Sequence, residues 1–231
     1  MIKRMLIFLT LILMAGILAR VVLNYSENTG LSRLAERYVG QGPAELGAAN
    51  LVTAIVVTYR GLDTLGEVTV LFISAAGVGL MLRKRRDEMA TRMDKTPASE
   101  IVVTAAELLT PMIFLFGVYV FVNGHLTPGG GFQGGSIIAS GALLMLLALP
   151  EIRFAHGLIG VTESLSGFGY VVIGVLGVVL AGGFLDNRFL PMGRFGTLFS
   201  AGAIPLIYTL IGFKVGSELS AVLDRFRQPD A

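Results

Sequence analysis

Apolar runs that approach the thickness of a lipid bilayer alternate with short polar connections along most of the chain. A transmembrane helix needs about 20 apolar residues, because each residue adds about 1.5 Å to a helix and the hydrocarbon layer is about 30 Å thick. Six runs come near this length, with predicted limits at Met5–Leu23, Asp63–Leu82, Glu100–Val122, Phe132–Leu149, Leu165–Phe184 and Phe195–Leu219. The pattern predicts an all-α polytopic helical membrane protein with about six transmembrane helices.

A further apolar stretch, residues 43–58, is too short to cross the bilayer as a helix. Basic residues favour the cytoplasmic side, so Lys3 and Arg4 at the start and the run 83–86 should lie on the same side of the membrane. An even number of crossings must then separate them. We therefore predict that residues 43–58 form a re-entrant or interfacial half-helix that is broken at Gly61, and that both chain termini are cytoplasmic.

The remaining cations agree with this topology. It places Arg153, Arg225 and Arg227 in the cytoplasm and leaves Arg188 and Arg194 in an outer loop.

The N-terminal region allows alternatives. Basic residues before an apolar run are also typical of a signal peptide, but the length of the run and the lack of a small-residue cleavage site favour a retained transmembrane helix. Residues 24–42 are predicted to be a solvated loop, although Arg33, Glu36 and Arg37 have the spacing of a short surface helix.

Composition excludes a soluble enzyme. Hydrophobic residues make up 54% of the chain and charged residues 15%, with 30 glycines in 231 residues. The absence of cysteine rules out thiolate or iron–sulfur ligation, and His125 and His156 lie too far apart to form a local metal motif. We predict no cofactor and no metal site, so any redox chemistry would belong to partner chains. The net charge of +2 does not favour nucleic-acid binding.

Ionisable residues beside or inside the apolar runs are the candidate functional residues, because a charge at membrane depth is costly unless it faces a partner, the bundle interior or water. The candidates for an ion path are Arg60, Asp63, Glu67, Glu107, Lys214 and Glu218. Lys214 and Glu218 are four residues apart and can pair on one helix face, and a merely local ion pair or snorkelling is an equally good interpretation. Glu67 and Glu107 are too short to reach the headgroups from depth.

A glycine-rich motif precedes the fourth run. It contains Pro128, Gly129, Gly130, Gly131 and Phe132. The regular run after it is too short to span the membrane, so either the helix begins within the glycines or a glycine-rich strand enters the membrane and exposes its amides. A flexible turn between two transmembrane helices is the competing interpretation.

Both motifs resemble one protein family. Residues 49–67 resemble the carboxy-terminal part of the large A subunit of Mrp-type multisubunit sodium/proton antiporters and the E subunit of membrane-bound hydrogenases. Residues 126–135 resemble the signature of the Mrp B subunit and its hydrogenase F counterpart. The resemblance implies three parts: residues 1–82 of the first type, a basic cytoplasmic linker at 83–97, and residues 98–231 of the second type.

The resemblance further implies a subunit of the cytoplasmic membrane that works beside larger antiporter-like subunits. It also implies redox subunits of a hydrogenase-type complex as further partners, and sodium ions and protons as the transported species. By similarity, Asp63 and Glu67 match acidic positions of the first motif, residues 128–132 match the second, and Lys214 matches a lysine of the last transmembrane helix.

Two hypotheses for the role of the chain follow. In the first, Glu67 exchanges a proton for sodium, Arg60 and Asp63 set its charge balance, and Glu107 or Lys214 continues a hydrated path. In the second, the chain is a scaffold that holds the antiporter subunits in register. A standalone secondary transporter would need an inverted repeat, and the two motifs are unlike each other.

Overall fold

The structure is a computed structural model that describes residues 2–25, 30–89, 98–149, 152 and 154–227, and the side chains of these residues apart from 2, 83–89 and 227. Its α-helices are α1 Ile2–Leu23, α2 Arg33–Leu46, α3 Leu51–Ala54, α4 Gly61–Met89, α5 Glu100–Val122, α6 Gly131–Ala148, α7 His156–Ala181 and α8 Ile204–Arg227. A π-helix, Ile55–Tyr59, follows α3, and a short 3₁₀-helix, Asn187–Phe189, precedes α8. The described residues contain no strand.

Six of these helices are long and apolar enough to cross a membrane, which confirms the predicted class. The candidate spans are Lys3–Leu23, Gly61–Leu82, Glu100–Val122, Gly131–Ala148, His156–Ala181 and Ile204–Phe226. The polypeptide clusters into two compact units, Met1–Glu36 and Arg37–Ala231. In the first unit, α1 is apolar on all sides, which is typical of a helix surrounded by lipid or by other helices.

Among the predicted span limits, the starts of the last two helices differ most from the structure. The last helix begins at Ile204, although the apolar run begins at Phe195. Left-handed backbone at Gly196, Ala201 and Gly202 prevents helix formation before that point, and a run of apolar letters does not reveal such a backbone. Helix α7 begins at His156, nine residues before the predicted limit. The prediction followed the uninterrupted apolar run, and the first turns of α7 contain both polar and apolar residues.

The segment before α4 also differs from the prediction. Residues 33–46 form a helix, α2, and not a loop, because its polar and apolar residues separate onto opposite faces. The predicted half-helix at 43–58 is two pieces, the end of α2 and the α3–π segment, divided by a turn with left-handed backbone at Gly47. Helix α4 continues to Met89, through the first part of the predicted linker at 83–97; residues 90–97 and Arg153 lie outside the described residues.

Glycines let α6 approach two neighbouring helices very closely. A Cβ atom on Gly134 would lie 2.5 Å from the Gly117 carbonyl oxygen of α5, and one on Gly135 would lie 2.8 Å from the Gly212 carbonyl oxygen of α8. In the opposite direction, Gly212 leaves room for the ring of Phe121. Small residues at helix interfaces allow this close backbone packing in membranes. Helices α5, α6 and α8 therefore form a tight glycine-lined bundle.

We predict that Gly134→Ala destabilises the protein by about 1–3 kcal/mol, because the added methyl group must displace helix backbone. The matched control is Gly160→Ala on α7, where nothing lies within 4 Å of the position that the added methyl group would take. Thermal unfolding of the purified protein in detergent measures the difference. Equal melting temperatures for the two variants would show that the bundle is not held at the spacing described.

Candidate functional site

The helical path breaks at Arg60, between the π-helix and α4. Arg60 has non-helical backbone angles, φ −118° and ψ 30°, so the break lies one residue before the predicted Gly61. Side chains take up two carbonyl oxygens near the break: Thr64 donates from Oγ1 to the Val56 carbonyl at 2.6 Å, and Tyr170 donates from its hydroxyl to the Gly61 carbonyl at 3.2 Å. The break is thus a built feature of the fold. Short π-helices often mark functional sites.

Arg60 and Asp63 form an ion pair directly after the break. The Nε and Nη2 atoms of Arg60 both lie 2.6 Å from Oδ2 of Asp63. Their side chains are 62% and 55% exposed, so this pair lies on the outer surface of the chain. The arginine neutralises the aspartate locally.

Glu67 is exposed on α4 one helical turn beyond Asp63. It makes no ion pair with any described residue, and it lies close enough to the Tyr170 hydroxyl to interact with it electrostatically. An adjacent face of α4 is buried, with Thr64, Val68 and Ala75 in the interior. Asp63 and Glu67 therefore share an exposed face of α4.

The glycine-rich motif forms the start of α6, as the first of the predicted alternatives has it. Gly129 and Gly130 have φ angles of 154° and 158°, and α6 begins at Gly131 and includes Phe132. A Cβ atom on Gly130 would lie 3.1 Å from the Tyr208 ring of α8. Pro128 is exposed in the preceding turn. The glycines here serve close packing and an unusual backbone path.

The two motifs meet through Asn50. Its side-chain amide donates to the carbonyl oxygens of Gly124 and Thr127, both at 2.9 Å, and its backbone N–H donates to the His125 carbonyl at 3.0 Å. Thr53 donates from Oγ1 to the Gly124 carbonyl at 2.6 Å. Sequence reasoning did not find these residues. The available signal was an asparagine before an apolar run, which is typical of a helix N-cap.

A buried polar cluster lies between α7 and α8. Nζ of Lys214 lies 2.5 Å from Oε1 of Glu218 and 4.0 Å from Oε1 of Glu163, and the side chains of Lys214, Glu218 and Glu163 are 9%, 0% and 22% exposed. The Lys214–Glu218 pair occurs as the spacing predicts, but it is buried, so the snorkelling interpretation was wrong. Glu163 was missed, because its partners are about 50 residues away in sequence.

A second pair lies at one end of the same helix interface. Nε2 of His156, in the first turn of α7, lies 3.3 Å from Oδ2 of Asp224 near the end of α8. The His156 side chain is half exposed and that of Asp224 is buried. On α7, residues 156, 163 and 170 recur every seven positions and so lie on one face. Polar groups consequently line the α7–α8 interface over about 20 Å of helix.

Glu107 lies elsewhere. It is exposed on α5 and lines a groove of about 330 Å³ with residues of α5 and α6, among them Thr110, Phe114 and Met145. No described contact joins Glu107 to the α7–α8 cluster. The structure thus brings Arg60 to Asp63 and Lys214 to Glu218, with Glu67 beside Tyr170, and it leaves Glu107 apart from both groups.

The connections at the other end of the bundle contain further polar residues outside the spans. Asn187 is fully buried and donates to the carbonyls of Leu46, at 3.0 Å, and Ala201, at 2.8 Å. The Tyr59 hydroxyl donates to the Glu45 carboxylate, and burial together with this contact raises the pKa of Tyr59 to about 12. His125 is fully buried, and its burial lowers its pKa below the usual 6.5.

Two family models match the chain. The model of a domain related to the MnhB subunit of Na+/H+ antiporters matches residues 101–221, and the model of the E subunit of MBH matches residues 3–97. The predicted division into residues 1–82, 83–97 and 98–231 stays a prediction. The two compact units of the structure meet at Glu36 and Arg37, which is a different boundary.

Solved structures and curated relatives agree with the family models. One chain of the membrane-bound sulfane sulfur reductase, an archaeal respiratory membrane complex, is 44% identical, with a TM-score of 0.82 over 98% of both chains. The B subunit of the Na+/H+ antiporter of Bacillus subtilis is 38% identical over 38% of this chain and 64% of that protein. A chain of the Mrp complex from Dietzia sp. shares the fold, with 24% identity and a TM-score of 0.79 over 99% of this chain and 26% of that chain.

The six candidate spans define a polytopic helical membrane protein. The matches are more specific than that. The chain belongs to the family of MnhB-related Na+/H+ antiporter subunits, joined to an N-terminal region that matches the E subunit of MBH.

We predict that Asn50→Ala lowers the unfolding free energy by about 1–3 kcal/mol, because it removes the side-chain donor to the Thr127 carbonyl and one of the two side-chain donors to the Gly124 carbonyl. The exposed Asn24 also donates one side-chain hydrogen bond to a carbonyl, so Asn24→Ala is the matched control. Chemical denaturation in detergent compares the two. A loss no larger for Asn50→Ala than for Asn24→Ala would contradict the proposed link between the motifs.

His125 gives a pH dependence of stability. Its pKa is lower in the folded protein than the value of about 6.5 expected in the unfolded chain, so folding favours the neutral ring. The stabilisation is complete above about pH 6.5 and is lost as the pH falls below it towards the folded pKa. We predict that His125→Gln flattens the fall in melting temperature between about pH 7 and pH 5. Parallel profiles for the two proteins would refute this.

Proposed function

We propose that this chain contributes an ion path to an Mrp-like sodium/proton antiporter module, along the α4 face that carries Asp63 and Glu67. The chain is a membrane subunit of such a module in a respiratory-type complex. Its partners are other antiporter-like subunits. We further propose that it resides in the cytoplasmic membrane with both termini in the cytoplasm, and that redox subunits belong to the same complex, as in the sulfane sulfur reductase whose chain it resembles.

The exposed position of Asp63 and Glu67 on a candidate transmembrane helix carries the proposal. A carboxylate that faces lipid within a transmembrane helix is unfavourable unless protein groups or water compensate it. Arg60 compensates Asp63, but Glu67 has no ion-pair partner among the described residues. We therefore expect a neighbouring subunit, or water held between the two subunits, to cover this face of α4 and to compensate the charge of Glu67.

The chemistry of these groups suits exchange. Glu67 can hold a proton or, when ionised, offer its oxygens to sodium, so the two ions compete for one carboxylate. The Arg60–Asp63 pair fixes a positive and a negative charge one turn away at the helix break. Movement of either charge would change the preference of Glu67 between the ionised and neutral forms. Lys214 and Glu218 extend the polar region on the inner side of the subunit, whereas Glu107 would act from a separate groove.

A scaffold role is the second candidate function. The glycine-lined bundle and the Asn50 contacts fix the relative positions of the two motifs. A subunit of this kind holds its neighbours in register whether or not an ion passes along it.

We predict that Glu67→Gln strongly reduces sodium-dependent proton flux while the complex still assembles, because the amide cannot exchange a proton or carry the negative charge. The matched control is Glu100→Gln, which removes an exposed glutamate at the first turn of α5. Flux is measured in inverted membrane vesicles with a pH-sensitive dye, and assembly by copurification of the partner subunits. Unchanged flux in the assembled complex would refute the ion path, and loss of assembly with Glu67→Gln alone would favour the scaffold.

A further inference from the structure

We propose that the buried α7–α8 cluster of Glu163, Lys214 and Glu218 holds one exchangeable proton, shared between its two carboxyl groups. The inference rests on the proposed function to the extent that the proton is part of the antiport path. The site itself, however, is argued from charge and geometry on α7 and α8, away from the exposed face of Asp63 and Glu67.

The charges of the cluster do not balance without the proton. One ammonium group faces two carboxyl groups, and Glu218 is fully buried while Glu163 is four-fifths buried. An uncompensated charge in such surroundings is strongly unfavourable, so a group of this kind takes up a proton. One bound proton makes the cluster neutral, with Lys214 charged, one glutamate ionised and the other protonated.

A buried carboxylate oxygen of Glu218 that accepts no hydrogen bond from the described residues indicates where the proton lies. Oε1 of Glu218 accepts a hydrogen bond from Lys214 at 2.5 Å, whereas Oε2 is buried and receives none from the described residues. The Glu163 carboxyl group interacts directly with that of Glu218. A proton on either carboxyl group would supply an O–H donor to the other, and it would satisfy the buried oxygen that otherwise lacks a donor.

No other described cation faces the cluster. Helix α4 contributes the ring of Phe72, whose centroid lies 5.1 Å from Nζ of Lys214. On α8, Arg225 donates to the Ala75 carbonyl of α4, and on α7, His156 pairs with Asp224. Glu67 lies near Tyr170, further along α7. Within the part of the chain that the structure describes, the missing positive charge must therefore come from a bound ion.

A proton fits this position better than sodium. The ammonium group of Lys214 is bonded to the same carboxylate that sodium would need, and it repels a second cation at such short range. Sodium is also a hard cation that prefers several oxygen ligands, whereas the cluster offers two carboxyl groups, one of them already occupied by Lys214.

The His156–Asp224 pair provides the opening to water. His156 is half exposed, and seven residues, about 10 Å of helix, separate it from Glu163 on the same face of α7. Proton uptake breaks an O–H bond of a hydronium ion, forms an O–H bond on a carboxylate oxygen of the cluster and leaves a water molecule. Release reverses the step. Towards the other end, the same face leads to Tyr170 beside Glu67.

Infrared difference spectroscopy of the purified complex tests the proposal, because a protonated carboxyl group has a C=O stretching band that shifts in D2O. We predict such a band at neutral pH, lost in both Glu163→Gln and Glu218→Gln and retained in Glu100→Gln. Glu163→Gln leaves the neutral Lys214–Glu218 pair and should fold. Glu163→Asp keeps a carboxyl group at this position and should retain a band at a shifted frequency. This variant tests the proposal if Glu163→Gln fails to assemble.

The variants of Glu67 and Glu163 test the ion path and the shared proton separately. Glu67→Gln should strongly reduce antiport and leave the band in place, whereas Glu163→Gln should remove the band and alter the pH profile of antiport. A wild-type complex without the band, or a band that survives both Glu163→Gln and Glu218→Gln, would overturn the shared proton. A missing band would not affect the test of Glu67.

Discussion

The need to satisfy backbone polar groups away from water governs the arrangement of this subunit. In lipid, an unpaired carbonyl costs several kilocalories per mole, so an interrupted helix persists only where protein groups take up the freed positions. Here Thr64 and Tyr170 bind carbonyls on either side of the break at Arg60, and Asn50 binds two carbonyls of the turn before α6. Because Tyr170 belongs to α7, the break at the start of α4 is tied to the helix that also carries Glu163.

Close packing supplies the rigidity that these hydrogen bonds require. The glycines of α6 bring its backbone against α5 and α8, and Gly61 similarly leaves room for Leu185, whose side chain would lie 2.6 Å from a Cβ atom there. Leu185 itself has left-handed backbone, an uncommon state for a residue with a branched side chain. The loop before α8 therefore contacts the chain next to the break. The position of Arg60 depends on contacts from α4, from α7 and from this loop.

The features that the sequence predicted correctly are local ones. Six spans follow from the lengths of apolar runs, and the Lys214–Glu218 pair follows from a spacing of four on one helix. Glu163, Asn50 and the His156–Asp224 pair could not be found in this way, because each depends on a partner that only tertiary packing brings near. The start of α8 was misjudged for a related reason: Phe195 and Leu198 are apolar, but the left-handed residues around them exclude a helix. Whether Asp63 and Glu67 conduct ions stays a prediction.

The two groups of charges differ in the side of the subunit that they face, and this difference has a physical consequence. Arg60, Asp63 and Glu67 lie on an outer surface, so their electrostatic surroundings are completed by whatever covers α4. Lys214, Glu218 and Glu163 lie within the subunit, so their surroundings are set largely by α7 and α8. Tyr170 lies beside the first group, since its hydroxyl binds the Gly61 carbonyl and interacts with Glu67, and it shares helix α7 with Glu163 of the second group. A shift of α4 against α7 would alter both environments together, and this makes Tyr170 the most direct structural link between a partner on the outer face and the buried cluster.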